Sequence, residues 1–199
     1  MNPGDAGEDL AEILIDQETL DRRVGELAAE IHAAHPEGDV VFVGVLKGAF
    51  MFMADLSRAM PAPVELDFMV VSTYGYGTKS SGVVRILKDL DLDIAGRRVV
   101  VVEDIIDSGL TLSWLLRTLS ARKPASLEVC ALLRKREALE VDIDPEYLGF
   151  DIPNEFVVGY GLDFAERYRN LTVVGTLTEE ALRAGGHRAG PRPGQAGRA

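Results

Sequence analysis

The sequence predicts a single α/β domain built on a mostly parallel central sheet flanked by helices, and three observations lead to this prediction. The chain has 199 residues, 47% of them hydrophobic, which is enough for one domain with a sizeable core. Short apolar runs alternate along the chain with helix-like patterns, as in parallel strands connected by crossover helices. The four valines of residues 99–102 form an unbroken apolar run, typical of a central strand covered on both faces.

The first predicted element is a helix between Asp16 and Pro36, where Leu20, Val24 and Leu27 begin a series of apolar residues at helical spacing. A strand over 40–45 and a helix over 49–60 follow it. The next elements are predicted in chain order as strands over 64–71, 83–87 and 98–102, a helix over 110–120 and a strand over 127–133. After residue 150 the apolar residues show no clean period, so the segments 156–160, 171–176 and 179–183 predict a small appended lobe.

Charge limits the classes of partner that this chain can bind. The sequence has 21 basic and 32 acidic side chains, a formal net charge of -11. Residues 184–199 hold five Gly, two Pro and three Arg without any acid, which predicts a disordered basic tail. Residues 1–182 alone carry 17 basic and 32 acidic side chains, a net charge of -15. Attraction to nucleic acid or to an anionic membrane is therefore disfavoured.

Cysteine content and the N-terminal segment bear on the compartment. Cys130 is the single cysteine, which excludes an intrachain disulfide and a zinc site built on several cysteines. The first five residues contain neither a basic segment nor an apolar run, and no stretch approaches the roughly 18 apolar residues of a membrane helix. We therefore expect a cytoplasmic protein that does not span a membrane.

The segment that carries chemistry follows the valine run. Glu103 and Asp104 are adjacent carboxylates, and Asp107, Ser108 and Gly109 then lead into the helix predicted over 110–120. In an α/β sheet ligands bind beyond the carboxyl ends of the strands, where a helix N-terminus directs backbone N–H groups at an anion. The loop is therefore predicted to hold a phosphate, with hydroxyl donors from Ser108 and Thr111.

The three carboxylates beside this loop need a separate explanation, because negative charges are unfavourable near an anion. Adjacent carboxylates suit sugar hydroxyls or a divalent metal, and the third carboxylate could act as a general base. A phosphorylated sugar bound with magnesium is one interpretation. The alternative is that Asp107 or Ser108 only caps the helix, while Glu103 and Asp104 lie in solvated turns.

Residues 103–111 resemble the phosphoribosyl-diphosphate signature of type I phosphoribosyltransferases. Four further motifs extend the resemblance: Leu46-Lys47-Gly48, residues 71–75, Leu132 to Arg136, and Phe156 to Asp163. From about residue 13 to 178 the chain resembles the bacterial hypoxanthine-guanine phosphoribosyltransferases. The resemblance implies a type I phosphoribosyltransferase fold over 13–183, with a hood lobe built from the N-terminal segment and residues 150–178. It also implies a mobile flap over 74–82, and residues 1–12 are expected to be flexible.

The resemblance implies transfer of the ribosyl 5-phosphate of phosphoribosyl diphosphate to hypoxanthine or guanine, a reaction of purine salvage that uses Mg²⁺. Residues 107–111 would hold the 5-phosphate, with Leu110 and Gly109 contributing backbone N–H groups. Glu103 and Asp104 would bind the ribose hydroxyls and magnesium, while Asp163 approaches a second magnesium. Asp107 would be the general base at purine N7.

The remaining motifs are assigned to the base and the diphosphate by the same resemblance. Lys135 would contact purine O6, Phe156 would stack on the base, and the Val157 backbone would contact its far edge. The diphosphate would meet Lys47, Gly48 and Arg169, together with Ser72, Thr73 and Tyr74 at the start of the flap. The family also has a cis peptide before the lysine that corresponds to Lys47.

Two other functions remain open from the sequence. One is an RNA-binding regulator built on the phosphoribosyltransferase fold, which the acidic body disfavours. The other is a transferase that prefers xanthine. The family forms dimers and tetramers, and the apolar helix predicted over 49–60 could contribute to such an interface. We therefore expect a homodimer or homotetramer that binds phosphoribosyl diphosphate and 6-oxopurine bases, with no nucleic-acid partner.

Overall fold

A computed structural model describes residues 1–74 and 83–186 of the chain. These residues form two units. The large unit comprises Glu18–Glu155, and the small unit combines Met1–Gln17 with the chain from Phe156 onward. No helix in the described ranges is both long and apolar enough to cross a membrane.

The secondary structure follows the predicted order. The strands are β1 (Leu10–Ile15), β2 (Val40–Leu46), β3 (Glu65–Tyr74), β4 (Val83–Lys88), β5 (Arg98–Ile106), β6 (Ser126–Arg134), β7 (Tyr147–Asp151), β8 (Val157–Val158) and β9 (Val174–Leu177). The helices are α1 (Gln17–Ala34), α2 (Phe50–Ala59), α3 (Leu110–Ser120) and α4 (Glu179–Gly186), with 3-10 helices at Pro3–Asp9 and Arg136–Ala138.

The large unit is built on a sheet with the strand order β4-β3-β2-β5-β6-β7. All neighbouring pairs are parallel except β3 and β4, so the predicted mostly parallel α/β architecture is confirmed. The valine run lies in β5 between β2 and β6, and all four valines are fully buried. On one face of the sheet, Val99 and Val101 pack with Leu112, Leu115 and Leu119 of α3.

Helix α2 packs closely against β2. A methyl group at Gly44 of β2 would lie 2.3 Å from Sδ of Met53, which belongs to α2. Any larger residue at position 44 would therefore require the Met53 side chain to move. This contact places α2 on the face of the sheet opposite to α3, because Gly44 alternates with Val43 and Val45 of the α3-side core.

The small unit contains a separate antiparallel sheet in the order β1-β9-β8. Its core joins Val158, Tyr168 and Leu171 to Ala6 and to Ala181 of α4. Residues 1–12, for which the sequence predicts flexibility, form a 3-10 helix and the first part of β1. The partner of β1 is β9, about 160 residues further along the chain, and a local sequence pattern does not reveal such a distant pairing.

Two segments assigned from the sequence fall partly outside the described residues. Helix α4 includes residues 184–186, the first three of the predicted tail, and residues 187–199 lie beyond the described range. Tyr74 ends β3, whereas residues 75–82 of the predicted flap are outside the described residues. The strand β7 has no counterpart among the predicted elements.

Asp67 is a buried carboxylate that joins β3 to the turn after β4. Its Oδ2 accepts the N–H groups of Asp91 at 2.8 Å and Leu92 at 2.9 Å, and its Oδ1 accepts that of Phe68 at 2.7 Å. Burial raises the pKa of Asp67, but the three backbone hydrogen bonds and the charge of Lys88 outweigh burial and lower the pKa below its ordinary value. The ionised form is therefore the one that stabilises the fold.

We expect Asp67→Asn to lower the free energy of unfolding at pH 7 by about 2 kcal/mol, since hydrogen bonds to a charged acceptor are worth roughly 1.5–3 kcal/mol. The contribution of Asp67 is fully present above its unfolded pKa of about 3.9 and is lost as the pH falls through its lower folded pKa. Urea denaturation should therefore show the difference from wild type shrinking between about pH 5 and pH 3. Asp91→Asn, at an exposed carboxylate of the same turn, is the control, and equal losses in both variants would contradict this role.

Candidate active site

Glu103 and Asp104 lie inside the carboxyl end of β5 rather than after it. The sequence predicts that the strand ends at residue 102, but β6 continues to pair with β5 as far as Ile106, which lies opposite Arg134. Glu103 is 7% exposed. Burial and the nearby charge of Asp104 raise the pKa of Glu103 well above its ordinary value. This pair places two carboxyl groups side by side at the end of the central strand.

Asp104 also approaches the chain segment that follows β2. A methyl group at Gly48 would lie 1.7 Å from Oδ2 of Asp104, so the carboxylate rests directly against the Gly48 backbone. The Leu46–Lys47 peptide before it is cis. The other oxygen, Oδ1, accepts the N–H of Ile105 at 2.9 Å. The structure therefore brings Gly48 together with Asp104, two residues assigned from separate motifs.

The predicted phosphate loop lies between β5 and α3. Gly109 is the N-cap of α3 in the left-handed region (φ +77°), and no side chain caps the helix there. The N–H of Leu110 donates to Oγ of Ser108 at 3.4 Å. A pocket of about 110 Å³ opens here, lined by Glu103, Ile105, Ile106, Asp107, Ser108, Gly109, Thr111 and Leu112. The N-terminus of an 11-residue helix beside a pocket is suited to an anion.

A segment that the sequence did not single out supports this loop. The N–H of Glu140 donates to the carbonyl of Ser108 at 3.0 Å, and a methyl group at Gly109 would lie 2.9 Å from Cγ2 of Val141. The only sequence signal for this segment is the pair of apolar residues Leu139 and Val141, which a solvated loop would not require. The Val141 side chain thus leaves little room for a larger residue at position 109, and the positive φ also favours glycine there.

Asp107 and Lys135 form an ion pair with 3.3 Å between Nζ and Oδ2. The Lys135 side chain is only 9% exposed, whereas that of Asp107 is 60% exposed. The backbone N–H of Lys135 also donates to the carbonyl of Ile106 at 2.9 Å, so the end of β6 is attached to the end of β5 at two points. A buried ammonium is thus held beside an accessible carboxylate, an arrangement that the sequence does not reveal.

The other candidates of the large unit lie at the same edge of the sheet. Ser72, Thr73 and Tyr74 form the last part of β3, which runs parallel to β2. Because the carboxyl ends of parallel strands meet at one edge, these residues share that edge with Lys47 and Asp104.

The small unit carries the remaining candidates. Phe156 is 50% exposed and packs edge-on against Phe164 with ring centroids 5.6 Å apart, while Val157 is buried at the start of β8. Asp163 is paired with Arg169 at 2.6 Å, and its Oδ2 accepts the N–H of Glu166 at 2.8 Å. Arg169 also donates to the carbonyl of Gly161 at 2.8 Å. This network fixes both charged side chains within the small unit.

The donor set at the end of β5 fits a magnesium ion that a substrate helps to bind. Among the described residues there is no group of three or more His, Cys, Asp or Glu side chains that could hold a metal by itself. Magnesium commonly uses one or two carboxylates together with substrate phosphates rather than a complete protein cage. Glu103 and Asp104 supply such a pair of oxygen donors, and a cation would relieve the cost of burying Glu103 beside a second carboxylate.

Comparisons with known proteins identify the family of the chain. The family described as Phosphoribosyl transferase domain matches residues 11–165. A hypoxanthine-guanine phosphoribosyltransferase of Mycobacterium avium is 56% identical over 175 residues, covering 85% of this chain and 86% of the relative. The Bacillus subtilis enzyme of the same name is 47% identical over 169 residues, covering 85% and 94% of the two chains.

Solved structures agree as well. A hypoxanthine phosphoribosyltransferase of Staphylococcus aureus superposes with a TM-score of 0.84 at 44% identity, covering 86% of this chain and 94% of that one. A hypoxanthine phosphoribosyl transferase of Trypanosoma cruzi gives a TM-score of 0.85 at 40% identity, covering 92% and 98%.

Fold, loop and comparisons together define a type I phosphoribosyltransferase. Within that class, the chain belongs to the hypoxanthine-guanine phosphoribosyltransferase family.

We expect Glu103→Gln to raise the free energy of unfolding at pH 7 by an amount on the order of 1 kcal/mol, because it removes a charge that the fold buries unfavourably. Since the pKa of Glu103 is higher in the folded than in the unfolded chain, the folded state binds more protons and loses stability as the pH rises between the two values. Thermal unfolding of both proteins from pH 4 to pH 8 measures this effect. Glu137→Gln, at an exposed position, is the control, and a destabilised Glu103→Gln variant at pH 7 would contradict the argument.

Proposed function

We propose that this protein transfers the 5-phosphoribosyl group of phosphoribosyl diphosphate to hypoxanthine or guanine in purine salvage. The products are the purine nucleoside monophosphate and pyrophosphate. The observation that carries the proposal is the buried Lys135 beside Asp107 at the edge of the phosphate pocket, in a chain of the hypoxanthine-guanine phosphoribosyltransferase family. The ion pair offers one acceptor and one donor to the two adjacent polar atoms, N7 and O6, of a 6-oxopurine.

The sugar phosphate is held at the end of β5. The N-terminal N–H groups of α3 and the hydroxyls of Ser108 and Thr111 bind the 5-phosphate, and the glycine at position 109 lets the phosphate approach the backbone. Glu103 and Asp104 accept hydrogen bonds from the ribose hydroxyls. Asp104 is suited to this task because the Gly48 backbone limits the positions that its carboxylate can take.

The leaving group is held by cations and backbone donors. Magnesium, when bound, would neutralise charge on the departing pyrophosphate. We assign Glu103 and Asp104 to one ion and Asp163 to the approach of a second. The Lys47 and Gly48 segment and Arg169 bind pyrophosphate oxygens, and Ser72, Thr73 and Tyr74 add donors at the end of β3. An acidic protein can bind a polyanion in this way because the positive charge is supplied locally.

The base is held for attack at the anomeric carbon. As N9 forms its bond to that carbon, the bond to the pyrophosphate oxygen breaks and its electron pair leaves with pyrophosphate. Asp107 takes the proton of N7, while Lys135 donates to O6. Adenine carries an amino group at that position, which cannot accept a hydrogen bond, so it is rejected. Phe156 is exposed enough to stack on the ring, and the Val157 backbone contacts its far edge.

We also propose that the chain forms a homodimer or homotetramer. Leu66 of β3 and Leu87 of β4 are large apolar side chains exposed on the sheet face that carries α2, and Phe50 at the start of α2 is exposed too. Apolar exposure on this scale is typical of a subunit contact. Sedimentation equilibrium tests the proposal, and a monomer at all concentrations would contradict it.

Because the polyanionic substrate cannot cross a bilayer, we propose a cytoplasmic location, which fractionation would test.

The function is tested by incubating the protein with phosphoribosyl diphosphate, magnesium and one purine base at a time. We expect nucleotide from hypoxanthine and guanine and none from adenine. A much faster reaction with xanthine would instead indicate a xanthine-preferring transferase. Tight RNA binding in a gel-shift assay without nucleotide formation would replace the enzyme by a regulator.

We expect Asp107→Asn to lower kcat by roughly 10²–10⁴-fold, the usual contribution of a general base, because an amide cannot take the N7 proton. The KM for phosphoribosyl diphosphate should stay within about threefold of wild type, since the other loop donors remain. Steady-state kinetics with each substrate varied in turn measures both quantities. Asp142→Asn, at an exposed carboxylate of the same unit, is the control, and near-normal turnover in Asp107→Asn would exclude the base role.

Lys135→Met is expected to raise the KM for hypoxanthine and guanine by roughly 10–100-fold, because it removes the charged donor to O6. Selection against adenine should fall by a similar factor, measured as the ratio of kcat/KM for hypoxanthine to that for adenine. Unchanged selectivity would remove Lys135 from base recognition.

A further inference from the structure

Arg134 directly precedes Lys135 and is the most deeply buried arginine of the site region, with its side chain 5% exposed. Its Nε and Nη2 donate to the two oxygens of Asp151 at 2.7 Å and 3.1 Å, and its Nη1 donates to Asp144. All three guanidinium nitrogens are therefore bonded to carboxylates. We refer to this set of contacts as the Arg134 clamp.

The backbone at Arg134 is fixed from two directions. Arg134 lies opposite Asp151 in the pairing of β6 with β7, and its carbonyl accepts the N–H of Ile152 at 2.9 Å. The N–H of the next residue, Lys135, donates to the carbonyl of Ile106 at the end of β5. The peptide between Arg134 and Lys135 is thus hydrogen-bonded to residues that end or follow both neighbouring strands.

The two side chains leave this peptide in different directions. β6 ends at Arg134, whose guanidinium meets Asp151, while the side chain of the following residue, Lys135, reaches Asp107. Lys135 has a long, flexible side chain, and the place of its Nζ depends on where its Cα is held. A shift of about 1 Å in a substrate-positioning group can cost on the order of 100-fold in rate.

A role in stability alone would not require this chemistry. Asp151 and Asp144 expose 45% and 84% of their side chains, and ion pairs with solvent-exposed carboxylates usually contribute little to stability. The planar guanidinium instead fixes geometry, because two parallel hydrogen bonds to one carboxylate set both the distance and the orientation of the two groups. Asp151 is itself suited to this task, since hydrogen bonding from Arg134 lowers its pKa and keeps it ionised.

We propose that Arg134 is a positioning residue that acts through the clamp to hold Lys135 beside Asp107, and that it thereby sets the recognition of the 6-oxo group. This inference rests on the role of Lys135 in the proposed function. The proposal gives Asp151 and Asp144, the carboxylate partners of Arg134, an indirect part in the selection of 6-oxopurines over adenine.

The test compares Arg134→Lys, Arg134→Met and Asp151→Asn in the full chain. Arg134→Lys keeps the charge but loses the fork, so we expect it to raise the KM for hypoxanthine and guanine by about fivefold to twentyfold, nearly as much as Arg134→Met. The KM for phosphoribosyl diphosphate should stay within about twofold of wild type, because the phosphate loop is untouched. Asp151→Asn keeps the volume of the side chain, and it should also raise the KM for the purine bases without raising the KM for phosphoribosyl diphosphate. This variant keeps the test decisive if Arg134→Met fails to fold. An equal rise in both KM values, or a loss of thermal stability with both KM values unchanged, would overturn the proposal.

A double-mutant cycle with Lys135→Met gives the sharper result. If Arg134 acts through Lys135, adding Arg134→Lys to Lys135→Met should change the KM for hypoxanthine and guanine by less than about twofold. Full additivity of the two substitutions would overturn the positioning role. If the wild-type protein forms no nucleotide, the proposed function is refuted. If the wild type is active and Arg134→Lys has a normal KM for hypoxanthine and guanine, only the positioning role of Arg134 is refuted. Asp142→Asn serves as the exposed-carboxylate control throughout.

Discussion

The parallel pairing of β5 with β2 on one side and β6 on the other is the constraint on which the site depends. It requires a strand that is apolar on both faces, which four consecutive valines provide, and it brings the ends of three strands to the same edge. Without that alignment, Lys47, Asp104 and Lys135 would be separate polar residues at the ends of separate strands. The chemistry of the site is therefore a consequence of strand direction as much as of residue type.

The same edge collects charge that the fold must accommodate. Glu103 is buried beside Asp104, and both burial and the charge of Asp104 raise the pKa of Glu103 because they disfavour its ionised form. Elsewhere in the large unit buried charges are fully paired, as at Arg134 or at Asp67 with its three N–H donors. The contrast separates two uses of a buried charge. Paired charges orient backbone, whereas on the proposed mechanism Glu103 and Asp104 bind hydroxyl groups and a cation.

Much of the architecture could be predicted from local pattern. The helix predicted over 110–120 matches α3, and the valine run matches the centre of β5, because both signals are contained in a few neighbouring residues. The strands β1 and β7 were not predicted, since their identity depends on pairing with distant segments. The motifs predicted candidate site residues, but not that Lys135 pairs with Asp107 or that Arg134 is bonded to Asp151 and Asp144. Such side-chain contacts between strands produce no periodic pattern in the sequence.

The exposure of Asp107 has a consequence for the end of the catalytic cycle. On the proposed mechanism, proton transfer leaves a neutral acid where the free protein has an ion pair, so Lys135 temporarily lacks its counterion. The site cannot accept a second purine until that proton reaches water. With 60% of its side chain open to solvent, Asp107 can release the proton directly, without a relay through neighbouring groups. On that mechanism the accessible carboxylate would reset the protonation state, while the buried ammonium would retain selectivity between turnovers.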